Sequence, residues 1–323
     1  MGVVYFRKSG VISMVLMCKN KPVYDIDTEV VYNEKLLPGY MMKNPCRSTF
    51  KIWFKLRYSS NTNSIARKLK GVTFGQGNRV LINEKTYALS LSDCYWVKDE
   101  NCPSDFEDVS PYYNDFWKGE GVYDINKGGA IPTLYTGGFL SKEWISAKYL
   151  CKYDKDAGIE EDVSVLCRDC GVSACNVKRI SGGVMAENFT NTDLMLEQAD
   201  ESGLIDPDDF NEGDIIRLLG LQGVQMLTID AITGNGDRHA GNFGWLRDTN
   251  TGEYVSAAPL YDFDHALDSR ATYDRLIGDA AAEIKKSDYF SEALRICSTV
   301  SVLKTNEIFK LRANKISELL NKV

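Results

Sequence analysis

Near residue 232 a long apolar run gives way to ITGNGDRHAGNFGWL, Ile232–Leu246. This stretch sets Asp237 five residues before Asn242 and carries His239, one of two histidines in 323 residues. Twenty residues beyond Asn242 stands Asp262, followed by Phe263. Phosphoryl transfer from ATP needs such a set: a carboxylate to orient and deprotonate the attacking hydroxyl, oxygen ligands for Mg2+ on the phosphates, and a cation against the phosphates themselves. Mg2+ keeps much of its water, so one Asn and one Asp from neighbouring loops suffice. Glycines at 234, 236, 241 and 244 let the chain turn sharply and approach phosphate closely.

The order matters as much as the residue types. An Asp followed by an Asn five residues on, then a strand, then Asp-Phe, is the protein-kinase arrangement. Here the strand-like segment EYVSAAPLY separates the two loops. GNGDRHAGN resembles the catalytic loop of the phosphatidylinositol 3/4-kinases and of the HipA-like bacterial kinases, and APLYDFD resembles the HipA-family metal segment. Upstream, TGGFLSKEW and YLCK resemble that family's nucleotide-covering loop and lysine strand. EEDVSVLCRDCGV resembles its next helix, and VMAENF its adenine hinge. The resemblance spans about residues 130–270.

The resemblance implies a serine/threonine kinase that uses ATP and Mg2+, with roles assigned residue by residue. Asp237 would be the catalytic base, with His239 orienting its loop or approaching the γ-phosphate. Asn242 and Asp262 would hold Mg2+. Lys152 would contact the phosphates, with Lys148 as the competing lysine. Glu160 would pair with that lysine, with Glu161 as the competing carboxylate. Glu187 to Phe189 would form the adenine hinge, and Thr136, Gly137, Gly138 and Ser141 would lie over the phosphates. Family members are also inactivated by phosphorylation in this loop, where Thr136 and Ser141 supply the hydroxyls. Two departures stand out. Asp264 replaces the Gly of Asp-Phe-Gly, and the phosphate loop lacks a full G-x-G-x-x-G.

The partners implied are a protein substrate and an antitoxin-like protein. A net charge of −7 argues against a general nucleic-acid binder, so no direct nucleic-acid binding is expected. No run of 18 apolar residues spans a membrane, and a cytoplasmic location follows from the lack of an export signal. The nine cysteines are odd in number; Cys167, Cys170 and Cys175 form C-x2-C-x4-C, but Cys167 and Cys170 read as small apolar residues on the inner face of a helix rather than as metal ligands. A phosphoinositide-type lipid kinase and a nucleotide-binding pseudokinase or scaffold are the competing functions. The missing basic amphipathic segment weighs against the first, and the intact Asp237, Asn242 and Asp262 against the second.

These residues need elements to hold them. Gly10–Cys18 reads as a strand or buried edge. Thr133–Asp156 reads as a hairpin or a pair of strands around the Gly137-Gly138 pair, and Gly158–Gly171 as a helix stopped by Gly171. Ser173–Phe189 reads as two strands around Gly182-Gly183, and Glu197–Asp214 as an acidic connector. Asp214–Ile232 reads as one buried central helix, apolar nearly all round. Asp279–Val323 reads as two or three helices. Strands first and helices after imply an α+β, two-lobed, protein-kinase-like fold. Its expected divisions are an aromatic-rich subdomain at 1–130, a kinase N-lobe at 131–190 and a helical C-lobe at 191–323.

Overall fold

The computed structural model describes residues 14–57, 87–98, 105–113, 141–153, 158–206, 209–267 and 273–322. The chain divides into two compact units. The first comprises residues 1–153, 187–203 and 244–256; the second comprises 154–186, 204–243 and 257–323.

In the first unit β1 (Val15–Cys18) is the centre of a three-stranded sheet, flanked by β2 (Lys21–Asp25) and β3 (Tyr95–Lys98), both antiparallel to it. The short helix α1 (Gly39–Met42) precedes α2 (Arg47–Leu56). Phe50, Trp53 and Phe54 recur on α2 at the i, i+3, i+4 spacing that makes one helical face apolar, and all three are buried. They join Leu16, Tyr24, Trp96 and Phe106, the last on the short helix α3 (Phe106–Val109), in one aromatic-rich core. These aromatics are therefore packing residues. Arg57 closes this core by a two-pronged hydrogen bond to Asp93, at 2.6 and 3.0 Å.

The strands β4 (Ser141–Ser146) and β5 (Tyr149–Tyr153) form a hairpin in the same unit. Its turn lies at Ala147 and Lys148, within the segment that reads as a hairpin or a pair of strands; Gly137 and Gly138 lie outside the described residues. Lys148 can turn the chain there because its N–H is satisfied by the Ser146 hydroxyl at 3.1 Å.

The second unit begins with α4 (Ile159–Asp169). Gly171, at φ +67, ends it as expected: its N–H bonds Arg168 O and the Val172 N–H bonds Cys167 O, a Schellman closure that an L side chain would strain. Cys167, Cys170 and Cys175 are buried there, and burial pushes the Cys170 thiol up to about 11. The strands β6 (Val177–Ile180) and β7 (Gly183–Glu187) pair across Gly182, as the sequence indicated.

The first unit resumes with β8 (Leu194–Gln198), a strand whose last two residues overlap the start of the segment that reads as an acidic connector, Glu197–Asp214. It pairs with β9 (Gly244–Asp248), which β10 (Tyr254–Ala257) flanks. Polar alternation hid β8: Met195 and Glu197 both point inward, and Glu197 is buried because Arg247 of β9 pairs with it.

The second unit is completed by α5 (Glu212–Leu219), α6 (Leu221–Thr233), α7 (Tyr273–Lys285), α8 (Phe290–Val302) and α9 (Glu307–Asn321). The single central helix expected over Asp214–Ile232 is two helices. Gly220 breaks it, with φ +56 and ψ −124, outside the helical region and accessible to Gly without strain. The second piece, α6, has ten of its thirteen residues buried, and α5, α7, α8 and α9 all pack on it. It is the rigid post from which the polar loop hangs.

Candidate active site

The post ends at Gly234, in the left-handed region at φ 71 and ψ 35, whose N–H returns to Asp230 O at 2.7 Å. The Asn235 N–H bonds the same carbonyl at 3.0 Å, so the loop leaves α6 at a fixed angle. Asp230 itself is 2% exposed, a carboxylate one turn from the end of an otherwise uncharged helix. Such a charge is tolerated only when paired and hydrogen-bonded.

Arg238 supplies that pairing. Its Nε and Nη2 donate to the two Asp230 carboxylate oxygens at 2.9 and 2.8 Å, and Asn235 Nδ2 adds a third bond at 2.9 Å. The remaining guanidinium nitrogen, Nη1, donates to the carbonyls of Asn242 and Tyr261 at 2.7 and 2.9 Å. The Arg238 guanidinium also lies 5.0 Å from the centre of the Phe263 ring. Burial alone would pull the Arg238 pKa down, but the Asp230 carboxylate and its hydrogen bonds reverse this and hold it above the ordinary value. One side chain thus joins the helix, the end of the Asp237–Asn242 loop and the segment that carries Asp262.

Within the loop the Asp237 carbonyl is held twice, by the His239 N–H at 3.0 Å and by Asn242 Nδ2 at 3.1 Å. The Asp237–Asn242 spacing is therefore also a hydrogen-bonded ring closure. Its amide nitrogen being so engaged, buried Asn242 has Oδ1 as the end that can meet a cation. His239 Nδ1 accepts the Gly241 N–H at 3.1 Å and caps the short turn Ala240–Asn242. Of the two roles expected for His239, the one visible in the geometry is holding the loop. Tyr261 Oη bonds Gly241 O at 3.0 Å, a second tie between the two segments.

Asp262 has φ +62, which an L residue adopts at a cost of roughly 1 kcal/mol, least for Asp and Asn. That twist turns the chain after β10 so that Phe263 enters the core at 3% exposure while Asp262 stays partly exposed. The Leu267 N–H then bonds Thr233 O, the last residue of α6, at 3.0 Å. His265 Nε2 lies 3.7 Å from Asp237 Oδ2, both side chains being about half exposed.

The second unit therefore brings together Asp237, His239, Asn242 and Asp262. Lys152 lies in the first unit, buried on β5, opposite buried Lys142 of β4. Lys148, its competitor, is exposed in the turn. Glu160 is 2% exposed and shares the buried stripe of α4 with Val163, Ser164 and Cys167, whereas Glu161 turns to Arg179 at 3.5 Å. Glu187 ends β7 exposed, and Phe189 is partly buried just beyond. Thr136, Gly137 and Gly138 lie outside the described residues, and Ser141 opens β4. The residues missed from the sequence are Asp230 and Arg238. The signal was a lone carboxylate inside an apolar helix, eight residues before an arginine.

A hard cation could be held by Asn242 and Asp262. Among the described residues no group of three or more His, Cys, Asp or Glu forms a metal cluster. A two-oxygen protein site fits Mg2+, which completes its shell with water and phosphate, and does not fit zinc.

No family model matches the chain, and no curated protein matches it. Solved structures do, and the likeness to HipA supports a kinase-like α+β fold. HipA of Shewanella oneidensis MR-1, in its complex with HipB and operator DNA, is 12% identical, with 95% of each chain covered and a TM-score of 0.53. The Helicobacter pylori proinflammatory kinase CtkA is 16% identical over 55% of this chain and 88% of its own, with a TM-score of 0.36. The expectation of no direct nucleic-acid binding is not borne out: the HipA neighbour is solved in a complex that contains DNA. No helix among the described residues is long and apolar enough to cross a membrane.

Proposed function

We propose that the protein transfers the γ-phosphoryl group of ATP to a serine or threonine hydroxyl of a protein substrate, in the manner of HipA-like kinases. The observation that carries this reading is Arg238, which fastens the Asp237–Asn242 loop and the Asp262 segment to one buried carboxylate. A scaffold residue with that connectivity keeps a base and two oxygen ligands in register, and positioning is most of what phosphoryl transfer asks of a protein.

In this reading Asp237 accepts a hydrogen bond from the substrate hydroxyl and takes its proton as the oxygen attacks phosphorus. Asn242 and Asp262 hold Mg2+, which when bound neutralises charge on the phosphates. Lys152 meets the phosphates, Glu160 is its helix carboxylate, and Glu187–Phe189 carry the adenine. Thr136, Gly137, Gly138 and Ser141 cover the phosphates, with Thr136 and Ser141 as sites of inhibitory autophosphorylation. Burial favours Lys152 over Lys148 and Glu160 over Glu161. By analogy with the neighbour solved with HipB, an antitoxin-like protein is proposed as partner.

The substrate class is tested by phosphoamino-acid analysis after incubation with Mg-ATP and a cell extract, beside phosphoinositide liposomes. Label on phosphoserine or phosphothreonine supports the reading; label confined to lipid overturns it in favour of a lipid kinase.

A further inference from the structure

The catalytic reading leaves one degree of freedom unaccounted for. The Asp237 backbone is fixed by two hydrogen bonds to its carbonyl. Its side chain is 52% exposed, so two torsions still decide where the carboxylate points. A base whose direction is left to solvent would spend little time in an attacking geometry.

His265 stands where that direction can be set. It belongs to the turn after Asp262, and that turn is pinned at both ends. Phe263 is buried and its carbonyl takes the Ala266 N–H at 3.0 Å, while the Leu267 N–H reaches Thr233 O at 3.0 Å. Leu267 accepts φ +67 to make that bond. Asp237 lies four residues beyond the same Thr233. Both residues therefore hang from the C-terminal end of α6 on short, tied segments, and His265 Nε2 comes within 3.7 Å of Asp237 Oδ2. The other histidine is committed elsewhere, its Nδ1 taken by Gly241.

We propose that His265 is a positioning residue for Asp237: Nε2–H of the imidazole donates to Oδ2, so that Oδ1 faces the incoming hydroxyl. The contact stands at ion-pair distance, and catalytic hydrogen bonds of this kind tighten when substrate binds. A base oriented by a third group is the general logic of such sites. The proposal rests on Asp237 being the base.

The test compares His265→Ala and His265→Gln, the latter keeping an N–H donor close to the position of Nε2. His265→Ala is expected to lower kcat about 10-fold or more with KM for ATP within twofold, and His265→Gln to recover most of the loss. Unchanged kcat in His265→Ala, or a His265→Gln variant as slow as His265→Ala, overturns the proposal. A second readout needs no activity. The chain has two histidines, so the imidazole 1H–15N spectrum holds two spin systems. The His265 resonances are expected to move in Asp237→Asn while those of His239 hold; a His265 signal indifferent to Asp237→Asn overturns the pairing. An active wild type with a silent His265→Ala removes only this role, whereas a wild type with no phosphotransfer removes the catalytic reading and the role with it.

Discussion

Arg238 grips Asp230 through both carboxylate oxygens, at 2.9 and 2.8 Å, inside the helical unit and with side-chain exposures of 6% and 2%. The pair sits behind the candidate catalytic residues and touches both segments that carry them. Removing one member leaves the other as a buried charge without compensation. Arg238→Ala and Asp230→Ala are each expected to cost about 3–5 kcal/mol of stability. Replacing both with apolar residues of similar volume, Asp230→Leu with Arg238→Met, should recover much of that loss. The double variant would still lack the bonds to the Asn242 and Tyr261 carbonyls. Urea unfolding should therefore show a stabler double than either single, and phosphotransfer should stay low in all three.

Asp262 combines a strained backbone with a proposed metal ligand. Asp262→Gly relieves φ +62 and should keep or raise stability, by up to about 1 kcal/mol, while abolishing Mg-ATP-dependent transfer. Asp262→Ala keeps the strain, loses the oxygen, and should unfold more readily than the Gly variant. Thermal unfolding beside an activity assay separates the two effects; a Gly variant less stable than the Ala variant would deny the strain.

Helix propensity and packing conflict at Gly223 in α6. Alanine there gains about 1 kcal/mol of intrinsic propensity. Its Cβ would stand 2.6 Å from Ile215 O and 2.9 Å from Ile216 Cα, both backbone atoms of α5 that cannot swing aside. Gly223→Ala is expected to lower stability by about 1–3 kcal/mol despite the propensity, and denaturant midpoints decide the sign.

Glu201, in the first unit, provides a pH dependence. Burial, with the adjacent Asp200 carboxylate, pushes its pKa from 4.5 up to about 8. Between these values the folded protein retains a proton that the unfolded chain releases. The folded state therefore binds more protons, and stability falls as pH rises from about 4.5 to 8. Glu201→Gln removes that penalty. Its melting temperature should exceed the wild type's at pH 8 and converge with it near pH 4.5; a difference independent of pH would contradict the shift.

The candidate site was legible because its chemistry is local. Asp237, Asn242 and Asp262 lie in short segments whose spacing is set by one loop and one strand. Gly171 and Gly182 were readable for the same reason, since a left-handed turn needs no distant partner. The structure departs from the sequence reading where a continuous hydrophobic pattern hides a local break and where a tertiary contact decides. Gly220 splits a run whose hydrophobic pattern is continuous across the break. The end of β8, from Glu197, looked like connector because buried Glu197 is stabilised by Arg247, 50 residues away. Arg238 escaped notice because its significance depends on Asp230 being buried, which only the packing of α5, α7, α8 and α9 around α6 establishes.

The central claim is that Asp237 is the base of a phosphotransferase. The most direct measurement is transfer of 32P from γ-labelled ATP by wild type and by Asp237→Asn, with Mg2+ and with EDTA, after unfolding curves confirm that both are folded. The account predicts label transfer by wild type in Mg2+ alone, and a fall of at least about 100-fold in Asp237→Asn. Equal transfer by the two proteins, or none by the folded wild type across a full cell extract, would contradict it.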